Sequence, residues 1–274
     1  MDSSTYIKIE TIAPKTTTAP FNLPYYLVVL LPEACSFSIN FISYNVPKNT
    51  LLFLAPYQLL QFDTLPNQAI KLLEFHGDFY CIEYHKEEVA CNGILFNNVY
   101  STPFVTVPES EFNEIASLFI KIENLQSATE SYVVSVLKAY LQLILALSSK
   151  EKQEDALKTP LENKSDLADF KNFIELHFKQ QKNMSFYAEH YGYSESNFSK
   201  KIKNLFGKPP KKLLQERLVL EAKKMLHLTY KNINQIALEL GFEDEFYFSR
   251  FFKNEVGVSP KVFRDNVGIA KVAK

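Results

Sequence analysis

The segment GFEDEFYFSRFFK, from Gly241 to Lys253, places three consecutive acids before a run of aromatic rings that one arginine interrupts. Carboxylates are metal ligands, but a metal site would favour acids spread over several elements, and these three are neighbours in one. At the start of a helix, acids accept backbone N–H bonds and complement the positive end of the helix dipole. We therefore expect Asp244 to be an N-cap and Arg250 to reach a phosphate or a guanine edge.

This segment belongs to the second copy of an internal repeat. Before the turn the offset is 49 residues, so that Met184, Ala188, Tyr191, Gly192 and Tyr193 correspond to Ile233, Ala237, Leu240, Gly241 and Phe242. After the turn the offset is 50 residues, so that Ser194, Phe198, Ile202, Gly207 and Pro210 correspond to Asp244, Phe248, Phe252, Gly257 and Pro260. Two copies are too few for a solenoid, and the pattern indicates a duplicated supersecondary unit.

Each copy has the pattern of a helix-turn-helix unit. An alanine lies four residues before a glycine, which permits close helix packing and a tight turn. Ser194 or Asp244 then opens the second helix. On a helical wheel, both copies direct large apolar residues into a core: Phe198, Ile202, Phe248 and Phe252. Tyr247 and Phe251 are expected at the flanks of that core.

The opposite faces of the two second helices are polar and basic. The first copy presents Ser196, Ser199, Lys200 and Lys203, and the matching positions of the second are Phe246, Ser249, Arg250 and Lys253. The residues that we expect at phosphates are lysines: Lys203, Lys208, Lys211, Lys212 and Lys253. Phe246 is the apolar exception. Its ring either packs on a thymine methyl group or is partly buried against the neighbouring domain.

The charge distribution separates the chain into two parts. Residues 165–274 carry 19 Lys and Arg against 13 Asp and Glu, whereas residues 1–164 carry 11 against 18. A basic domain joined to an acidic one favours a polyanionic partner for the basic part, although a solvated surface has the same composition.

The N-terminal half follows a different pattern. Short, β-rich apolar runs between Tyr25 and Val107 are separated by Pro, Gly and Asn, which predicts a small barrel or sandwich. From Pro108 the period is helical, with a two-heptad apolar seam at Val133, Leu137, Tyr140, Ile144 and Leu147. The seam fits either a helix packed on its own barrel or a dimer contact. Ser148 to Asp166 has almost no large apolar residues and indicates a linker.

The segment IALELGFEDEFYFSRFFKNEVGVSPKVFR, Ile236 to Arg264, resembles the C-terminal signature of the AraC/XylS family of bacterial transcription regulators. RLVLEAKKML, Arg217 to Leu226, is similar to the helix that joins the two helix-turn-helix units of that family. The resemblance implies DNA-facing roles for Ser196, Ser199, Lys200, Glu245, Phe246, Ser249 and Arg250. It also implies RNA polymerase as a partner and an N-terminal cupin-like domain that senses an effector or dimerises.

We therefore predict an α+β protein in three parts. Residues 1–148 form a cupin-like β-barrel with a helical pair, residues 149–165 form the linker, and residues 166–274 form an all-α domain with two helix-turn-helix units. The predicted function is sequence-specific binding of double-stranded DNA in transcription regulation, controlled by a small-molecule effector or by homodimerisation. The alternative is a metal-dependent cupin enzyme that carries a DNA-binding appendage.

The N-terminal half offers few residues for metal or catalytic chemistry. His76 and His85 are nine residues apart and the chain has no His-x-His pair, so we expect no metal and no other cofactor. The chain also lacks the nucleophile and phosphate-loop motifs, so we expect no catalytic residues. Residues that could line an effector pocket are Tyr57, Gln58 and Gln61.

The expected location is the cytoplasm. The N-terminus lacks a basic start followed by an apolar stretch, and the longest apolar run, Tyr25 to Leu31, is too short to span a bilayer. Three cysteines without C-x-x-C spacing, Cys35, Cys81 and Cys91, suit reduced thiols.

Overall fold

The computed structural model describes residues 6–13, 20–64, 67–80, 94–96, 98–128, 130, 132–158, 167 and 169–267. The chain divides into two compact units. The N-terminal unit comprises Met1–Asn98, Thr102–Ala156 and Ala270–Lys274, and the C-terminal unit comprises Val99–Ser101 and Leu157–Ile269. The first combines strands with two helices and the second is helical where it is described, which confirms the α+β class.

The strands of the N-terminal unit form two antiparallel sheets. They are β1 (Ile7–Ile12), β2 (Tyr26–Leu31), β3 (Cys35–Ile39), β4 (Ile42–Val46), β5 (Thr50–Leu54), β6 (Leu60–Thr64), β7 (Ile70–Phe75) and β8 (Phe104–Thr106). One sheet has the order β1-β7-β2-β5-β8 and the other β4-β3-β6. Within the described residues both sheets are open, so the closed barrel predicted from the sequence is not found. The arrangement of the strands is only roughly cupin-like.

The five-stranded sheet is covered on both faces. In β2, Leu27, Val29 and Leu31 pack with β3 and β6 in a core between the two sheets. Val28 and Leu30 point the other way, into a core shared with the two helices of this unit. Both faces of a central strand are therefore apolar, which explains the continuous rather than alternating run YLVVLL.

Helices α1 (Glu109–Leu125) and α2 (Val133–Lys158) cover the outer face of that sheet. The seam predicted on α2 faces its own sheet: Val133, Leu137 and Ile144 are buried in the core, and Tyr140 and Leu147 pack against it. By length and composition alone, Val133–Glu154 could cross a membrane, with a mean hydropathy of 1.4. Polar residues interrupt this stretch, so it does not stand out as a continuous apolar run. In the N-terminal unit, 39% of that stretch is buried, and Leu137 and Ile144 lie in the core.

Helix α2 continues to Lys158, so the first ten residues of the expected linker are helical. Two polar side chains buried in this part of the helix have partners, whereas Ser149 Oγ is buried and has none among the described residues. Ser148 donates to the carbonyl of Ile144, and Lys152 Nζ donates to the carbonyls of Thr102 and Phe104 at 2.5 and 2.7 Å. A polar stretch can therefore be an integral helix when its side chains find partners in the same unit.

The C-terminal unit contains α3 (Phe170–His177), α4 (Met184–His190), α5 (Glu195–Phe206), α6 (Pro210–Leu228), α7 (Ile233–Glu239), α8 (Glu245–Val256) and α9 (Pro260–Val267). Aromatic rings fill its interior. The ring of Phe170 meets that of Phe198 at 5.3 Å between centroids, and Phe252 meets Phe263 at 5.6 Å. Edge-to-face contacts of this kind fix the helices against one another.

Candidate nucleic-acid interface

The two predicted repeats fold into the same local structure. α4 and α7 have 7 residues each, and the turns after them place Gly192 at φ 70° and Gly241 at φ 71°. In both, the residue after the glycine donates to the carbonyl of the buried alanine, Tyr193 to Ala188 and Phe242 to Ala237, each at 2.9 Å. Only glycine adopts such a φ without strain, which is why it recurs in both copies.

The second helices of the repeats, α5 and α8, are capped alike. Ser194 Oγ accepts from the N–H of Asn197, and Asp244 Oδ1 accepts from the N–H of Tyr247 at 2.7 Å. Each helix has 12 residues and ends at a left-handed glycine, Gly207 or Gly257. The capping role predicted for Asp244 is confirmed. Its carboxylate accepts a hydrogen bond from the backbone of the first turn.

The inward faces of α5 and α8 are fully buried. The residues with no exposed surface are Phe198, Ile202, Phe248 and Phe252. They fix the rotation of each helix about its axis, so the opposite face must point outward.

The outward faces carry the residues that the sequence singled out for DNA contact. On α5, Ser196, Lys200 and Lys203 are exposed and Ser199 is half-buried. On α8, Phe246, Arg250 and Lys253 are exposed, and Glu245 and Ser249 are half-buried. Within each helix these side chains share one face, except that Glu245, at the start of α8, lies on the side of Phe248 and Phe252. Phe246 is 74% exposed rather than partly buried.

The cations on these faces are available to a ligand. Among the described residues, Lys200, Lys203, Arg250 and Lys253 form neither an ion pair nor a side-chain hydrogen bond. Two other lysines predicted at phosphates are engaged. Lys208 Nζ lies 2.7 Å from Glu216 and Lys212 Nζ lies 3.0 Å from Glu255. Lys211 is exposed. Four cations without an ion pair among the described residues thus lie on the outward faces of α5 and α8.

Helix α6 joins the two repeats and is anchored by a charged network. The Arg217 guanidinium bonds Glu175 of α3 at 2.7 Å and Glu221 at 3.1 Å, and lies 4.1 Å from the ring centre of Phe178. Burial alone would lower the pKa of Arg217, but the two carboxylates raise it above its ordinary value. At 1.5 Å per residue, the 19 residues of α6 span about 28 Å.

The two turns differ in their surroundings. A Cβ at Gly192 would meet no heavy atom within 4 Å, whereas a Cβ at Gly241 would lie 2.0 Å from the carbonyl oxygen of Lys179. Lys182 Nζ links the two segments, because it donates to the carbonyls of Lys179 and Gly241. It also lies 4.8 Å from the ring centre of Phe242. Burial lowers the pKa of Lys182. The second turn is therefore packed on the end of α3.

The residues suggested for an effector pocket do not converge. Gln58 Oε1 accepts from the N–H of Ala55 and closes a turn. Gln61 is exposed opposite Ser38 on the outer face of β6, and the alternation of a strand directs it away from the core between the sheets. Tyr57 is buried at φ 60°. An effector role for these three stays a prediction.

The metal and thiol expectations are tested only in part. Within the described ranges, no group of three His, Cys, Asp or Glu side chains could hold a metal ion. Cys35 is a free, buried thiol whose pKa is raised to about 11 by burial. His85, Cys81 and Cys91 lie outside the described residues.

Sequence reasoning missed one residue of the outward surface. Tyr247 was placed at the flank of the core, but it is 54% exposed beside Phe246, with its ring centre 5.7 Å from that of Phe242. The signal available was the repeat, because the matching residue of the first copy is the polar Asn197.

A family model described as a helix-turn-helix domain matches residues 187–266. An uncharacterized HTH-type transcriptional regulator of Staphylococcus aureus (strain MSSA476) is 36% identical over 93 residues, which are 34% of this chain and 12% of that protein. The HTH-type transcriptional activator RhaS of Enterobacter sp. (strain 638) is 23% identical over 158 residues, 58% of this chain and 56% of RhaS.

The fold is also similar to that of a solved structure, ToxT from Vibrio cholerae O395, at 14% identity and a TM-score of 0.43, covering 96% of this chain and 97% of that one. The chain spans less than two thirds of the length of the curated relatives that it matches. The family model covers most of the duplicated unit described above. The chain therefore carries a helix-turn-helix domain, and this domain resembles those of the AraC/XylS family of transcription regulators.

Proposed function

We propose that the chain regulates transcription by binding double-stranded DNA at specific sequences, with α5 and α8 as recognition helices. The observation that carries the proposal is the pair of outward faces on which Lys200, Lys203, Arg250 and Lys253 are unpaired. A helix fits the major groove, where Arg bonds guanine O6 and N7 in a bidentate manner. Lysines neutralise phosphates and set affinity and register without reading sequence.

The length of α6 suits simultaneous binding by both repeats. Half-sites read by paired helix-turn-helix units lie about 34 Å, one duplex turn, apart. A rigid helix of about 28 Å spans a comparable distance and would hold α5 and α8 toward one duplex face. Arg217 and its carboxylate partners fix α6 to α3 and so limit bending at that junction.

The N-terminal unit is proposed to control this activity. It has two sheets with a core between them and a helical pair. The resemblance to the AraC/XylS family suggests an effector or a second copy of the chain as its partner. RNA polymerase is proposed as a further partner, and the cytoplasm as the location. A role in regulation rather than catalysis fits the relatives, which are transcription regulators.

The experiment is selection of bound duplexes from a random pool by the full chain, followed by titration of the enriched site at several salt concentrations. Enrichment of one sequence is expected, with affinity that falls steeply as salt rises because bound lysines displace condensed counterions. Failure to enrich any sequence would refute specific binding. The variant Phe248→Ala is the unfolded control, because deletion of a buried ring costs about 3–5 kcal/mol.

A further inference from the structure

The first turn of α8 has a chemistry that its counterpart lacks. At its start α8 exposes two aromatic rings, Phe246 at 74% and Tyr247 at 54%. The equivalent residues of α5 are Ser196 and Asn197, both polar and exposed. The two repeats share their capping pattern, the positive φ of the turn glycine and the inward residues of the second helix, so the exposed Phe246 is a difference on the outward surface.

The charges around the rings restrict where this turn can lie on DNA. Glu243, Asp244 and Glu245 surround it, and carboxylates are repelled by phosphates. Asp244 is occupied as the N-cap. The cations of α8, Arg250 and Lys253, lie one and two turns farther along the helix. The first turn therefore fits the base edges at the groove floor better than the backbone at its rim.

The base edges of the major groove offer one apolar group, the 5-methyl of thymine. An exposed ring next to that group removes apolar surface of both from water. Resting on the proposed function, we propose that Phe246 contacts the 5-methyl group of a thymine, with Tyr247 beside it as a second apolar surface. Ser196 makes no such contact in the first repeat, so only the half-site of α8 depends on methyl groups.

The test uses the full chain and the site that it selects. Each thymine is replaced in turn by deoxyuridine, which removes the methyl group and leaves base pairing unchanged. One or two positions, all in one half-site, should lose about fourfold in affinity, the equivalent of one buried methyl-sized group. At the same position, 5-methylcytosine should bind about fourfold more tightly than cytosine.

The matched variant is Phe246→Ser, which installs the residue of the first repeat at an exposed position. It should bind thymine and deoxyuridine sites equally, with an unchanged circular dichroism spectrum. The inference is overturned if the native chain binds every deoxyuridine-substituted site as tightly as the unsubstituted site. This measurement needs no variant. Undiminished methyl dependence in Phe246→Ser also overturns it. If no sequence is selected at all, the proposed function itself fails.

Discussion

We expect sequence reading by α8 to depend chiefly on Arg250. It is the one arginine on either recognition face, it is exposed, and its planar guanidinium can bond guanine at two points, whereas lysine offers a mobile point charge. Arg250→Ala should weaken binding to the selected site by about 1–3 kcal/mol and relax preference at one or two base pairs. Selection with the variant protein measures both effects.

Lys203→Ala is the control for Arg250→Ala. Lys203 lies farther along α5, and a phosphate contact there should weaken binding to all sequences alike. A preference that is unchanged in Arg250→Ala would mean that Arg250 grips only the backbone.

The turn glycines provide a matched pair of substitutions. Gly192 and Gly241 have the same positive φ, so alanine is strained at both by about 1–2 kcal/mol. Only at Gly241 would the new Cβ lie 2.0 Å from a backbone carbonyl, that of Lys179. Gly241→Ala should therefore lower the melting temperature clearly more than Gly192→Ala, as thermal denaturation can show. Equal losses would contradict the packing of α3 against the second turn.

Glu74 is expected to make stability depend on pH. Its carboxyl is buried, and burial raises its pKa above the usual 4.5 despite a hydrogen bond from Tyr6 Oη at 3.0 Å. The folded state then binds the proton more tightly than the unfolded chain, so this group reduces stability as pH rises above about 4.5. Glu74→Gln should raise stability at about pH 7 and flatten this dependence. Urea denaturation of the native and variant chains at several pH values measures the free energy of unfolding. Identical pH profiles of that free energy would contradict the prediction.

Among single residues, sequence reasoning was most accurate where one local rule applies. A capping acid, a turn glycine and an inward phenylalanine are each determined within a few residues, and Asp244, Gly241 and Phe248 are found as predicted. The direction of the Gln61 side chain depends on strand register, and the exposure of Tyr247 depends on neighbouring rings. Those arise from packing with distant segments, which a single sequence does not reveal.

At the scale of elements, α2 offers two contrasting faces. Leu137 is 5% exposed within the core, whereas Leu143 on another face is 40% exposed. Leu137→Asp should unfold the N-terminal unit, because an unpaired charge in that core is strongly destabilising. Leu143→Asp should leave the fold intact. Circular dichroism and light scattering of both variants test this.

A folded monomer produced by Leu137→Asp from a dimer would instead support the interchain seam. If the native chain is a dimer, its dissociation by Leu143→Asp would place the contact on the exposed face of α2.

The helix seam shows why periodicity predicts elements better than their partners. Spacings of four and three residues correctly predict an apolar face on α2, but they do not say whether a sheet or a second chain covers it. Likewise, the polar residues after Ser148 suggested a linker, yet Ser149, Glu151 and Lys152 are buried in the helix. The helices and turns of the duplicated unit were predictable because both copies follow the same local pattern.

At the scale of the whole molecule, the account rests on two recognition helices that act together on one site. Because α6 fixes their separation, the two half-sites should tolerate little change in spacing. The most direct measurement is the affinity of the full chain for its selected site with about five base pairs, half a duplex turn, inserted between the half-sites. We predict that the insertion lowers affinity to that of a site with one half scrambled. An affinity equal to that of the uninterrupted site would contradict joint reading by α5 and α8.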